Sequence, residues 1–284
     1  MTQPIQETVD IGFNMNVRRW NPKFSAENSQ QFLLVHGLAS NAQTWDQVGR
    51  ILAETGHAAV AIDQRGHGLS QQLDDGYDFQ TITADLNRLL DLFGWDQPIV
   101  VGQSWGGNVM TAFGVNYPYR AAGLVMVDGG FLDFGRSDQP WEAIEKRLKP
   151  PSLAKSSMEM IRSILESSHP DWTVEGIENT LANLWVNDEG ILDRRLKLKN
   201  HMAIVRHMYE QNMVELYKKI ERPVLICAAG SGTEAQDERK EWIDTAIHTI
   251  SQASYQWFAD ADHDIHVQKP RELVNTILTW KATI

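Results

Sequence analysis

Ile99-Val100-Val101-Gly102-Gln103-Ser104-Trp105-Gly106-Gly107-Asn108 decides how the rest of the chain is read. Its first three residues are an apolar β-branched run behind Pro98, which predicts a buried strand. Its end runs into an amphipathic stretch that reads as a helix to about residue 117, stopped by Pro118. Between the two lies G-x-S-x-G, formed by Gly102, Ser104 and Gly106. A serine at the tip of a strand–turn–helix connection needs small neighbours, because the backbone folds tightly around it and holds its hydroxyl over the end of the sheet. Ser104 is therefore the candidate nucleophile. A bare G-x-S-x-G is common; the strand before it and the helix after it are what give the match weight.

The same pattern extends to both sides. Apolar runs at 32–35, 58–62, 122–127, 223–229 and 254–258 predict further buried strands, and partial alternation over 8–20 predicts an N-terminal pair. Helical spacing over 42–55, 79–93, 238–250 and 270–281 falls between them. Continuous apolar strands alternating with helices define an α/β fold: a mostly parallel sheet covered on both faces. The alternation breaks over 131–221, where no strand is evident and helical patterns occupy 141–148, 153–166, 174–186 and 191–217. Residues 1–130 and 222–284 thus read as one core, with 131–221 inserted as a helical lid. The insertion leaves the sheet just after Asp128, at the carboxyl edge where open α/β sheets bind ligands. Among its many aromatic and methionine side chains, Trp141, Trp185 and Met208 are expected to line a substrate pocket.

Composition narrows the function classes. The 284 residues carry a net charge of -11, which argues against nucleic acid and anionic membranes as partners. With 42% hydrophobic residues the chain can bury a large core. Its one cysteine, Cys227, ends an apolar run and reads as core filling. Residues 1–7 resemble no signal segment and no apolar run spans a bilayer, so a cytoplasmic protein with a small-molecule substrate is expected; self-association is left open.

A serine hydroxyl needs a base, a group that orients the base, and donors for the oxyanion. The base should follow a late strand, and the loop Asp262-His263-Asp264-Ile265-His266 does so; His263 is the first choice and His266 the alternative. The orienting acid has two candidate positions. Asp128 stands at the tip of the strand over 122–127, whereas Glu234 and Asp237 are the nearby carboxylates after the strand over 223–229. The oxyanion is expected on the backbone N–H groups of Trp105 and Leu38. No His/Glu spacing suggests a metal site, so cofactor-free chemistry is expected.

These residues together resemble the α/β-hydrolase fold superfamily, in its serine hydrolase branch with a helical lid. The resemblance covers about 8–130 and 222–284. It rests on His36-Gly37, Asp63-x-Arg65-Gly66-x-Gly68-x-Ser70, Gly102-x-Ser104-x-Gly106-Gly107, and Asp262-His263 followed by Pro270. Most members carry the triad aspartate after the strand matching 223–229, but the turn Gly230-Ser231-Gly232-Thr233 has none. Some branches, including certain haloalkane dehalogenases and zearalenone-type lactonases, carry it one strand earlier, where Asp128 stands. Dehalogenases and epoxide hydrolases of this fold use an aspartate nucleophile; Ser104 implies acyl chemistry instead. The resemblance thus implies hydrolysis of an ester or lactone, and the aromatic, methionine-rich lid suggests a medium-sized apolar substrate. Alternatives are an aminopeptidase like proline iminopeptidases, which share Ser104-Trp105-Gly106 but typically have H-G-G-P-G where this chain has His36-Gly37-Leu38-Ala39-Ser40, and a carbon–carbon bond hydrolase. A ligand-binding receptor on the same scaffold is the alternative outside enzymes.

Overall fold

The computed structural model describes residues 3–136, 139–230 and 237–284. The chain begins with β1 (Ile5–Asp10), β2 (Asn14–Trp20) and β3 (Gln31–Val35), then a 3-10 turn at Ala42–Trp45 that leads into α1 (Asp46–Glu54). There follow β4 (Ala58–Ile62), α2 (Phe79–Phe93), β5 (Ile99–Gln103), α3 (Trp105–Asn116) and β6 (Gly123–Val127). Beyond a second 3-10 turn, Phe134–Arg136, come α4 (Trp141–Leu148), α5 (Met158–Ser168), α6 (Val174–Leu181), β7 (Leu184–Val186), β8 (Leu192–Arg194), α7 (Leu198–Glu210) and α8 (Met213–Tyr217). The chain returns through β9 (Val224–Ala229), α9 (Asp237–Thr249), β10 (Ala253–Phe258), α10 (Ile265–Gln268) and α11 (Pro270–Lys281).

Eight strands form one sheet in the order β1-β2-β4-β3-β5-β6-β9-β10. The β1–β2 and β2–β4 pairs are antiparallel and the rest parallel. The central strands are apolar on both faces because each face is covered. On one side Leu33, Val35, Val100, Leu124 and Met126 pack with Leu86, Leu89, Val109 and Phe113 of α2 and α3. Their neighbours Phe32, Leu34, Val101, Val125 and Val127 point the other way, onto Val48 and Leu52 of α1 and Leu273 and Ile277 of α11. A period of two on the strands thus feeds two cores from one run of sequence. Cys227 lies fully buried in the second core, and burial pushes its thiol pKa up.

The register also brings the site together. Val35 pairs with Gly102, Gln103 with Val127, Val127 with Cys227, and Phe258 with Ala229. The carboxyl ends of β3, β5, β6, β9 and β10 therefore finish at one level, and the loops that follow them share one edge.

Between β6 and β9 the helical expectation needs one correction. The stretches read as helices over 174–186 and 191–217 contain a two-stranded ribbon, with Leu184–Val186 antiparallel to Leu192–Arg194. Asn187 makes the turn: its side-chain oxygen accepts from the N–H groups of Glu189 and Ile191, and Gly190 has φ +75°. Strands of three residues are too short for alternation to outweigh helical spacing, so the Asn187-Asp188-Glu189-Gly190 turn was the usable signal. Among the described residues no helix is long and apolar enough to cross a membrane.

Candidate active site

Ser104 stands between the end of β5 and the first residue of α3 with φ +52° and ψ -123°. Its N–H continues the sheet ladder to the Val127 carbonyl at 3.0 Å, and its own carbonyl accepts from Gly107 N–H at 2.9 Å to start the helix. A side chain at Gly102 would collide with the Gly106 carbonyl, and one at Gly106 would come within 2.5 Å of the Val35 carbonyl oxygen. That is the physical content of the two motif glycines: strand and helix backbones pass too close for a Cβ. Ala39, Ser104 and Asp128 are the non-glycine residues with positive φ among the described residues, at 58°, 52° and 43°. All three lie on the loops of one sheet edge, where backbone strain of about 1–3 kcal/mol each is held by the surrounding structure.

Asp128 closes β6, with its N–H bonded to the Cys227 carbonyl at 2.8 Å. Its carboxylate is almost wholly buried and divided in use. One oxygen accepts from Ala229 N–H at 2.8 Å and from the Arg239 guanidinium; the other meets His263 Nδ1 at 2.6 Å. A carboxylate accepts only, so Nδ1 carries the proton and Nε2 is left as the ring's lone-pair nitrogen. His263 is half-exposed. Loss of water around the ring favours its neutral form, but the hydrogen bond and charge of Asp128 outweigh this and raise its pKa above the ordinary 6.5. The Ser104 hydroxyl makes no hydrogen bond among the described residues, so Ser104 and His263 are not bonded to each other.

The loop after β3 passes beside Ser104; a Cβ on Gly37 would sit 3.0 Å from the Ser104 Cβ. Neither the Leu38 nor the Trp105 N–H donates to a protein acceptor among the described residues, and Trp105 as the first residue of α3 has no intrahelical acceptor available. The Leu38 loop is held from below. His36 Nε2 accepts from Gln64 N–H at 3.0 Å, while the Gln64 side chain donates to the His36 carbonyl at 2.7 Å. Asp63 accepts from the N–H groups of Ala42 and Leu69, each at 2.7 Å. His67 bonds the Arg65 carbonyl and stacks on Trp105 at 5.5 Å between ring centres.

His266, the alternative base, is fully buried against Trp45, 4.4 Å between ring centres, and neither of its ring nitrogens has a hydrogen-bond partner among the described residues. Burial pushes its pKa down to about 3. It faces the core, away from any exchange of protons with a substrate. Its linkage has a definite sign: the unfolded chain takes up a proton that the folded chain refuses, so stability falls as pH drops from 6.5 toward about 3. His36 and His67, both lowered by burial, act in the same direction. The expected outcome for His266→Phe is a shallower loss of stability between pH 6.5 and 5, by up to about 1.4 kcal/mol per pH unit; urea denaturation at a series of pH values checks it.

Of the other expected residues, Met208 is buried in the core cluster that includes Trp105 and Phe131, with Leu38 and Trp141 packed against it. Trp141 lies beside Tyr209, 5.6 Å between ring centres, under the Arg206 guanidinium. Trp185 is on the outer part of the β7–β8 ribbon and 40% exposed, and it is not part of that cluster. Glu234 lies outside the described residues.

Two residues were missed by sequence reasoning. Gln103, inside the nucleophile motif, donates to Asp264 Oδ1 at 3.2 Å and to the His263 carbonyl at 3.3 Å. Its position next to Ser104 was signal enough to single it out. Arg239 gave no such signal, since 111 residues separate it from Asp128.

The fold agrees with the comparisons. Residues 31–270 match the alpha/beta hydrolase fold family, and the chain belongs to that family. It is similar to 2-(acetamidomethylene)succinate hydrolase of Mesorhizobium japonicum, 25% identical over 78% of this chain and 76% of that one. It is also similar to a serine hydrolase-like protein of Danio rerio, 24% identical over 92% and 82% of the two chains. The crystal structure of E-2-(acetamidomethylene)succinate hydrolase superposes with a TM-score of 0.78 at 20% identity, covering 98% and 99%.

Proposed function

We propose that this protein is a cofactor-free serine hydrolase that opens a carboxylic ester or lactone through an acyl-enzyme. The observation that carries the reading is the 2.6 Å contact of His263 Nδ1 with Asp128 on the edge where Ser104 is held at positive φ. His263 Nε2 takes the Ser104 proton as Oγ attacks the carbonyl carbon. The Leu38 and Trp105 N–H groups receive the oxyanion, and Asp128 stabilises the imidazolium. His263 then protonates the leaving alkoxide. A water deprotonated by the same nitrogen releases the acid. The Ser104–His263 bond, not made in this chain alone, forms in the substrate complex, as such contacts often do.

The segment 131–221 acts in this reading as a lid. Met208 and Phe131 are buried in the same apolar core as Trp105, with Trp141 and Leu38 packed against that core, and such apolar surroundings suit a substrate recognised by apolar burial. Aromatic or branched-chain esters should therefore outrun charged ones.

The test combines a covalent probe with a substrate panel. A fluorophosphonate is expected to label the folded protein at Ser104, with hydrolysis of p-nitrophenyl acyl esters or aryl lactones. An unlabelled Ser104 would sink the hydrolase reading and leave the receptor. Labelling with turnover only of prolyl arylamides, of an acetamidomethylene acid, or of a vinylogous diketone would keep the nucleophile and replace the substrate class.

A further inference from the structure

The guanidinium of Arg239 stands at the end of β9, the strand end where most proteins of the resembled superfamily place their triad carboxylate. From α9 it donates to the Asp128 oxygen that does not face His263, and to the Ala229 carbonyl at 2.8 Å. It also lies 6.0 Å from the centre of the buried Phe131 ring. Asp128 is 2% exposed at its side chain and Arg239 32% exposed, so the contact is partly removed from water. With Ala229 N–H, Arg239 fills one side of the carboxylate and leaves the other oxygen free to accept from His263.

We infer that Arg239 is a positioning residue of the hydrolytic site, one that fixes the Asp128 carboxylate toward His263 and moderates its charge. The inference rests on the reading of Asp128 as the orienting acid. Two effects are separable. The first is geometric. Asp128 stands on a strand tip at φ +43°, and Ala229 N–H and Arg239 both donate to the same oxygen, which restricts the rotation of its carboxylate. The second is electrostatic. Around His263 stand Asp128 from β6, Asp262 and Asp264 from its own loop, and Arg239 from α9; His266 lies below, and His169 of the inserted segment bonds Asp262 at 2.9 Å. Asp128 and Asp264 favour the imidazolium, and Arg239 opposes it. An uncountered pair of carboxylates would hold the ring protonated to higher pH and withdraw the base. The arginine limits that effect while the Asp128 hydrogen bond is kept.

The experiment is the rate of fluorophosphonate labelling of Ser104 against pH, for the wild type, Arg239→Met, Arg239→Gln, Arg239→Lys and Asp128→Asn. Arg239→Met is expected to slow labelling at neutral pH by roughly 10–100-fold, the range of a lost charge-assisted hydrogen bond. It should also move the acid limb of the profile to higher pH, so that the deficit shrinks in alkaline buffer. Arg239→Lys should restore most of the limb position. Arg239→Gln, which keeps a donor without the charge, should show the displaced limb with less loss of rate, and its milder change guards against misfolding. In an Asp128→Asn background Arg239→Met should add little, because interacting sites are not additive. A rate lowered equally at every pH, with no rescue by lysine, would reduce Arg239 to a structural contact; an unaltered rate and profile would overturn the inference outright. A wild type that does not label, or an Asp128→Asn variant that labels normally, would instead overturn the underlying reading of the site.

Discussion

Ser104→Ala is expected to abolish turnover of any ester the protein cleaves, lowering kcat by about 10⁴- to 10⁶-fold and removing fluorophosphonate labelling. The loss is large because the proposed mechanism attacks through this hydroxyl. Cys227 is buried in the second core, and its thiol is pushed further from ionisation. His263 with a water could still act as a general base, which sets the residual rate. The folded state should be little changed, since alanine accepts the position about as well as serine. Ser104→Gly adds a control on the elbow itself. A residue at φ +52° is strained unless it is glycine, and relief of that strain works against the greater freedom of glycine in the unfolded chain. An inactive glycine variant that melts at or above the alanine variant is the expected result. A shift of about 2–4 °C corresponds to 1 kcal/mol at this chain length. Calorimetry on the two inactive proteins, with kcat from a p-nitrophenyl ester, checks both parts.

The sheet was legible because its strands are buried on both faces. Phe32-Leu33-Leu34-Val35 reads as an unbroken apolar run because alternate residues feed opposite cores, and the pairing of Val35 with Gly102 then follows from the fold. Ser104 was legible because close packing leaves a written trace: only glycine fits at 102 and 106. The loop that carries His263 could be chosen by chain order after β10, but its two histidines could not be separated by spacing alone. Burial separates them. His266 is sealed against Trp45, while His263 is half-exposed beside Asp128. The β7–β8 ribbon was hidden because each strand spans less than one helical turn's worth of evidence for either period. Arg239 was hidden for a different reason. A long side chain reaching back to a carboxylate across 111 residues leaves no local pattern, and its helix has ordinary polar spacing. Trp185 could not be placed by composition, because aromatic content signals apolar contact area without saying which face of the ribbon holds it; it is 40% exposed.

Asp128→Asn is expected to lower kcat by about 10³- to 10⁴-fold with a small change in KM, and the environment of the carboxylate explains why a near-isosteric change should cost so much. The wild-type oxygen facing away from His263 accepts from Ala229 N–H and from Arg239. Both are donors, so an asparagine must turn its carbonyl oxygen to them. Its NH₂ then faces His263 Nδ1 in the place of the oxygen that stood 2.6 Å away. An amide donor there makes Nδ1 the acceptor and puts the proton on Nε2, the nitrogen that should receive it from Ser104. The variant is thus held in the wrong tautomer by two contacts that do not involve the histidine. The pH profile should change with it. In the wild type, Asp128 holds His263 above the ordinary 6.5, so kcat/KM should fall on acidification through a limb above that value. Without the carboxylate the raising influence is lost, and whatever activity remains should show its limb at lower pH. Asp128→Ala removes the misdirected donor and frees the tautomer, so it should retain more activity than Asp128→Asn if the tautomer is the main loss, and less if orientation of the ring is. Stopped-flow ester hydrolysis across pH 5–9 distinguishes these. Full activity in Asp128→Asn, with loss in Glu234→Gln, would transfer the acid's role to the turn after β9.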